Sequence, residues 1–145
     1  MGMVDVSGKA VISREAEAAG VIVLSPGTIE RIRRGETRKG DPLLVAEVAG
    51  MNAAKQTHLL IPHCHQIPLD AVSVSFGVFD RHIEVRSHVT AHAKTGVEME
   101  ALVAVSLALC TIWDMVKYLE KDTTGQYPAT RIQDIRVVRK VKGQA

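Results

Sequence analysis

The sequence predicts an α+β protein: a ferredoxin-like antiparallel sheet with helices packed on one face. Three observations carry that reading. A long period-two stretch, "DAVSVSFGVFDRHIEVRSHVTAHAK" (70–94), has the pattern of paired strands. A run at helical spacing follows it, with Val97, Ala101, Leu102, Val105, Ala108, Leu109, Ile112, Val116 and Leu119 as its apolar positions. The order of patterns along the whole chain is β-α-α-β-β-α-β, which suits a sheet covered by helices on one side.

The elements follow in turn. "REAEAAGVIVL" (14–24) alternates and then becomes β-branched, predicting the first strand. Ser25 and Pro26 start a helix that Gly35 ends. Asp41 is an N-cap with Pro42 at the first helical position, and Leu44, Val45, Val48, Ala49 and Ala53 fall on one face of the helix they open. The period-two stretch turns near Asp80-Arg81, as a hairpin does. Thr95 and Glu98 have capping-box spacing ahead of the long helix. "RIQDIRVVRKV" (131–141) supplies a last strand.

Composition sets further bounds. At 145 residues the chain has the length of one domain, with 1–13 expected to be extended or mobile and 141–145 a mobile tail. Aromatics are only 3%, so the core rests on Val, Leu, Ile, Ala and Met, and base-stacking surfaces are scarce. The net charge of +2 is too small for a broad nucleic-acid surface. Its cations nevertheless cluster in "RIRRGETRK" (31–39) and "RVVRKVK" (136–142), either solvated faces or a pocket for a small anion such as a phosphate ester. Two cysteines make no disulfide scaffold, and Cys110, inside an apolar run, is expected to be buried. The apolar stretch 101–113 is too short to span a bilayer and no leader is evident, so the expected location is the cytoplasm, with no membrane partner.

Chemistry concentrates in a few places. "LLIPHCHQIPL" (59–69) sets His63, Cys64 and His65 side by side, with His58 upstream. Adjacent residues of an extended loop point to alternate sides, so at most His63 and His65 could share a metal, and no second ligand pair completes a structural zinc site. A Cys64 nucleophile would need a histidine brought across space. A loop without chemistry, or one offering a single histidine to a substrate, remain the other readings. Glu98 and Glu100 lie about 200° apart around a helix and should face apart. Asp114 and Lys117, three residues apart, can meet on one helix surface.

"MVDVSGKA" (3–10), "KGD" (39–41), "AGMNAAKQT" (49–57), "IPHCH" (61–65), "KTGVEMEAL" (94–102) and "IWDMVK" (112–117) occur together in this order. In these blocks the chain strongly resembles the cyclic pyranopterin monophosphate synthases, the C-type accessory proteins of molybdenum cofactor biosynthesis. The likeness covers nearly all of residues 3–140. It implies a ferredoxin-like subunit in a hexamer, a trimer of dimers. It also implies a lyase that converts 3′,8-cyclo-dihydro-GTP, made by a radical S-adenosylmethionine enzyme, to cyclic pyranopterin monophosphate with release of pyrophosphate. No resident cofactor or metal is implied, although Mg²⁺ could accompany the triphosphate. By motif, Asp114, Lys117 and Lys39 take catalytic positions, and His65, Cys64, Glu98, Met99, Glu100 and Arg14 substrate-binding ones.

Two departures stand out. The family loop commonly reads Leu-Cys-His-Pro, whereas this one reads His63-Cys64-His65-Gln66, leaving His63 without a family role. The family tail commonly carries Gly-Gly-Lys-Ser; here Lys140 or Lys142 takes the place of its lysine, or nothing does.

Helix geometry adds a constraint. About 20 helical residues between Lys39 and His65 would span roughly 30 Å, and Glu100 and Asp114 lie about 21 Å apart along one helix. With straight helices these residues cannot line one small pocket within one chain, so pockets would form where two copies meet. The competing functions are a ferredoxin-like nucleotide-binding module without chemistry, needing only the basic loop, and a zinc hydrolase using His63 and His65.

Overall fold

The computed structural model describes residues 1–143. Strand β1 (Ile12–Val23) is followed by helices α1 (Pro26–Arg33), α2 (Pro42–Lys55) and the single-turn α3 (Thr57–Leu60). Strands β2 (Ala71–Val78) and β3 (His82–Ala93) form the hairpin, then come α4 (Glu98–Glu120) and β4 (Arg131–Lys142). The sheet is antiparallel in the order β2-β3-β1-β4. This is the ferredoxin-like arrangement, in which each crossing helix returns the chain past one intervening strand.

The pleat decides which residues meet the helices. Ala16, Ala18 and Ile22 of β1 and Ile83, Val85, Val89 and Ala91 of β3 are buried beneath α4. The helix presents Ala101, Val105, Ala108, Leu109, Ile112 and Val116 to them, all fully buried. A Cβ at Gly20 would stand 2.8 Å from Leu109 Cδ1, 2.9 Å from Val105 Cγ1 and 3.0 Å from Ile135 Cγ1. Only a bare backbone lets α4 lie this close to β1. Across from Gly20, β4 bulges, with Asp134 at φ 58°, so that β4 follows β1 through two register shifts.

Some expectations need correction. The set Leu44, Val45 and Val48 faces outward (59%, 41% and 46% exposed), while Ala46, Gly50, Ala53 and Ala54 face the core. The cause is the closeness of α2 to α4: a Cβ at Gly50 would lie 3.0 Å from the Ala104 carbonyl. The small residues mark the inner face and the large ones are left outside. The helical run after Lys39 is broken at Gln56, so α2 is 14 residues long rather than about 20. Helix α4 begins at Glu98 with Val97 as N-cap and no side-chain cap, so the Thr95–Glu98 capping box does not form. With 23 residues and a mean hydropathy of 1.7 over an 18-residue window, α4 has the length and apolarity of a membrane span. The stretch 101–113 therefore understated it; 56% of that window is buried within the fold. At the ends, Ile12, Ser13, Val141 and Lys142 belong to strands and the Gly143 N–H bonds the Ser13 carbonyl. The rest of the expected tail, 144–145, lies outside the described residues.

Glu120 braces three segments at the end of α4. Its carboxylate accepts hydrogen bonds from the Ser25 N–H at 3.1 Å, the Ser25 hydroxyl at 2.6 Å, the Thr130 hydroxyl at 2.8 Å and the Thr28 hydroxyl. Burial pushes this carboxyl up, but the hydroxyl and amide donors outweigh burial and hold it below its ordinary value. Its stabilisation is therefore complete above the ordinary carboxylate range and fades as pH falls through the folded-state value.

Glu120→Ala should cost about 1–3 kcal/mol by stranding those donors. Glu120→Gln should flatten the loss of stability on the acid side. Gly20→Val should cost about 1–3 kcal/mol through overpacking. Urea unfolding between about pH 3 and 7 measures all three, with unchanged m-values expected.

Candidate active site

Helix α4 carries two clusters of polar side chains, one near each end. Toward its C-terminal end, Asp114 and Lys117 project from the same surface and meet at 2.9 Å (Oδ1 to Nζ). The turn before α2 brings a second cation to the same carboxylate, with Lys39 Nζ 3.4 Å from Asp114 Oδ2. That turn has local causes. The Asp41 carboxylate accepts from the Leu43 and Leu44 N–H groups, fixing where α2 starts, and Gly40 at φ 102° reverses the backbone just before it.

One carboxylate between two ammonium groups leaves an excess positive charge. Hydrogen bonds from Lys117 and then Lys39, with their charges, hold the Asp114 carboxyl below its usual range. The Lys117 ammonium is correspondingly raised, first by the Asp114 hydrogen bond and then by its charge. Lys117 is 41% exposed and its ammonium is held above its ordinary value by Asp114, so it is a protonated donor at neutral pH. Beside this cluster is an open cavity of about 440 Å³ walled by Trp113, Tyr127, Ile132 and Cys110. Trp113 and Tyr127 pack with ring centroids 5.0 Å apart. Cys110, expected to be buried, is exposed there because it lies on the side of α4 turned away from β1 and α2.

The second cluster surrounds the start of α4. A cavity of about 380 Å³ is lined by His63, Cys64 and His65 from the loop and by Glu98, Met99 and Glu100 from the first helical turn. Glu98 and Glu100 were expected to face apart, yet both line it, because the cavity meets the end of the helix rather than one side. Glu100 is only 4% exposed. Burial pushes its carboxyl up; its own N–H pulls down and the Glu98 charge adds to the rise. Burial, and then the Glu100 charge, also push the Cys64 thiol up, which opposes a thiolate nucleophile.

The two histidines hold the N-terminal segment. His63 Nδ1–H donates to the Gly2 carbonyl and His65 Nε2–H to the Val4 carbonyl, each at 2.7 Å. Val4, Val6 and Lys9 thereby become part of the cavity wall, which no local signal in the sequence indicated. His63 thus acquires a contact of its own, and each histidine has one ring nitrogen spent on backbone. Lys140, across the sheet, reaches Glu98 at 3.4 Å. Arg14 is 5% exposed and spends its guanidinium on the Ala93 and Lys94 carbonyls, at 3.4 and 3.2 Å, beneath the loop that leads into α4.

Among the described residues, the cavity beside Asp114 and Lys117 shares no lining residue with the one lined by His65, Cys64, Glu98, Met99 and Glu100. Among the described residues, the grouping of metal-type ligands that lies within mutual reach is Glu15, Glu17 and His88, on the sheet face opposite the helices. Arg139 already occupies it, 3.1 Å from Glu15.

Asp114→Asn should lower the pKa of Lys117, and Lys39→Ala should let the Asp114 carboxyl rise part of the way to its ordinary value. Side-chain NMR titrations of the two groups measure both shifts.

The sequence has counterparts among known proteins. The model of the MoaC family matches residues 3–143. A Thermococcus kodakarensis protein named as a probable cyclic pyranopterin monophosphate synthase is 56% identical over 142 residues, 98% of this chain and 91% of its own. Its namesake from Sulfolobus acidocaldarius is 54% identical over 140 residues, covering 97% and 98% of the two chains. One from Methanocorpusculum labreanum is 52% identical over 141 residues, covering 97% and 89%. By matched length and by identity, the chain belongs to the MoaC family.

Proposed function

We propose that this protein acts in molybdenum cofactor biosynthesis, converting 3′,8-cyclo-dihydro-GTP to cyclic pyranopterin monophosphate with release of pyrophosphate, as a phosphorus–oxygen lyase. The observation that carries the reading is the Asp114 carboxylate bridged by Lys117 and Lys39. A nucleotide triphosphate needs cations where pyrophosphate leaves, and the ring rearrangement needs a positioned proton donor. A substrate hydroxyl attacks the α-phosphorus as its proton passes to solvent water; the bond from the α-phosphorus to the bridging oxygen breaks and pyrophosphate departs with that oxygen. Lys39 and Lys117 neutralise the departing charge, and Lys117, held protonated by Asp114, donates a proton. Glu98, Met99, Glu100, Cys64 and His65 hold the ring end of the substrate, with Arg14 supporting that cavity from beneath. Lys140, already within reach of Glu98, takes the place of the family's tail lysine in preference to Lys142.

The two clusters sit near opposite ends of a helix, about 21 Å apart between Glu100 and Asp114. The working site therefore combines the lysine cluster of one copy with the histidine–glutamate cavity of another, in a hexamer built as a trimer of dimers. The exposed apolar residues Leu44, Val45 and Val48 offer surface for such assembly. The radical S-adenosylmethionine enzyme that cyclises GTP supplies the substrate, and both work in the cytoplasm. The reading assigns the protein no resident cofactor; any Mg²⁺ arrives on the triphosphate, and a chelator titration measures its contribution.

Incubation with the cyclised nucleotide, followed by oxidation and pterin fluorescence, tests the reaction; ligand binding without product would favour a non-catalytic nucleotide-binding module. Lys117→Ala should abolish turnover while the circular dichroism spectrum is kept. Co-refolding Lys117→Ala chains with Glu100→Ala chains should restore about a quarter of wild-type turnover, since half of randomly formed dimers would own one intact site of two. Absence of recovery, or a monomer by light scattering, would refute the shared site.

A further inference from the structure

The turn that carries Lys39 is gripped by the residue next to Lys117. The Tyr118 hydroxyl accepts a hydrogen bond from the backbone N–H of Arg38 at 2.8 Å. The Arg38 guanidinium lies over the same ring, 4.4 Å from its centroid. A single aromatic side chain thus takes two contacts from the residue immediately before Lys39 and stands immediately after Lys117 in the chain. Among the described residues, the hydrogen bonds that join the 34–41 turn to α4 are this one and the Lys39–Asp114 contact.

Those two links differ in strength. Lys39 and Asp114 are 49% and 58% exposed, and their 3.4 Å contact is made by a flexible side chain in solvent. Such pairs hold geometry poorly. The Arg38 link acts on the backbone itself, through a short N–H to hydroxyl bond backed by a cation over an aromatic face. Of the two links from this turn to α4, the one that acts on the backbone beside Lys39 is therefore the Tyr118 bond.

We propose that Tyr118 and Arg38 form a positioning clamp that presents Lys39 to Asp114, so that Lys39 and Lys117 meet the substrate as a preset pair of cations. Neither clamp residue needs to touch the reacting atoms. Its value is preorganisation: the second cation is already in place when the triphosphate arrives. The inference rests on the function proposed above for its kinetic consequence, but its structural content stands without it.

The test uses the full-length protein with Tyr118→Phe, Tyr118→Leu, Lys39→Ala and the Tyr118→Leu/Lys39→Ala double variant. Tyr118→Phe keeps the ring and loses only the acceptor; kcat should fall about tenfold with a smaller change in KM. Tyr118→Leu loses both contacts and should fall about a hundredfold, the scale of a misplacement of about 1 Å. In ligand-free protein, the Asp114 carboxyl should titrate in Tyr118→Leu as it does in Lys39→Ala. The double variant should show no further change in titration or in kcat, as expected for two residues acting through one contact. Wild-type titration and kcat in Tyr118→Leu would overturn the clamp, as would an equal loss of kcat when that change is added to Lys39→Ala. If Tyr118→Leu does not fold, Tyr118→Phe decides by the same criteria. If the wild-type protein makes no product, the function proposed above has failed, and the Asp114 titration alone decides the clamp.

Discussion

The close seat of α4 on β1 is the constraint on which the rest depends. At Gly20 the helix comes so near that no Cβ fits, and on its other flank Gly50 lets α2 approach just as closely. These two close approaches hold one long helix in fixed phase against the sheet. The helical members of both candidate clusters, Glu98 and Glu100 at one end and Asp114 and Lys117 at the other, ride on that helix, so their separation and relative azimuth are set by backbone packing. Rise and twist leave little slack: one residue inserted between Glu100 and Asp114 would turn one cluster by about 100° relative to the other.

The helix ends are bound in different ways. At the C-terminal end, Glu120 draws Ser25, Thr28 and Thr130 onto one carboxylate, joining the exit of β1, the start of α1 and the approach to β4. At the N-terminal end, Arg14 ties β1 to the loop before Glu98 through two carbonyls. A buried charge is costly unless paired or fully hydrogen-bonded, and each of these charges is met by several fixed partners. The cavity charges near Glu100 and the ammonium groups near Asp114 are treated differently. They keep contacts that a ligand could replace.

Much of the fold was legible in the sequence, because hairpin periodicity, the Asp41-Pro42 helix start and the apolar stripe of α4 are local signals. The misjudged features share a physical cause. In α2 both faces carry apolar residues, and hydrophobicity could not reveal that the small ones face inward to admit a close neighbour. The Thr95–Glu98 spacing suggested a cap, but the chain enters α4 through Val97 in another geometry. The pairing of Lys39 with Asp114 and the role of Glu120 join residues far apart in sequence, which no periodicity reports. Asp114 with Lys117 was legible as a helical i,i+3 pair; its third member was reached only through family likeness.

His63 and His65 also have a bearing on how the protein is handled. By holding the carbonyls of Gly2 and Val4, they lay the first residues of the chain along the wall of the histidine–glutamate cavity. An affinity tag or fusion joined to Met1 would therefore emerge at the rim of that cavity rather than from a remote surface. Material carrying an N-terminal extension would have its ligand access altered, and kinetic comparisons belong with protein from which the extension has been removed.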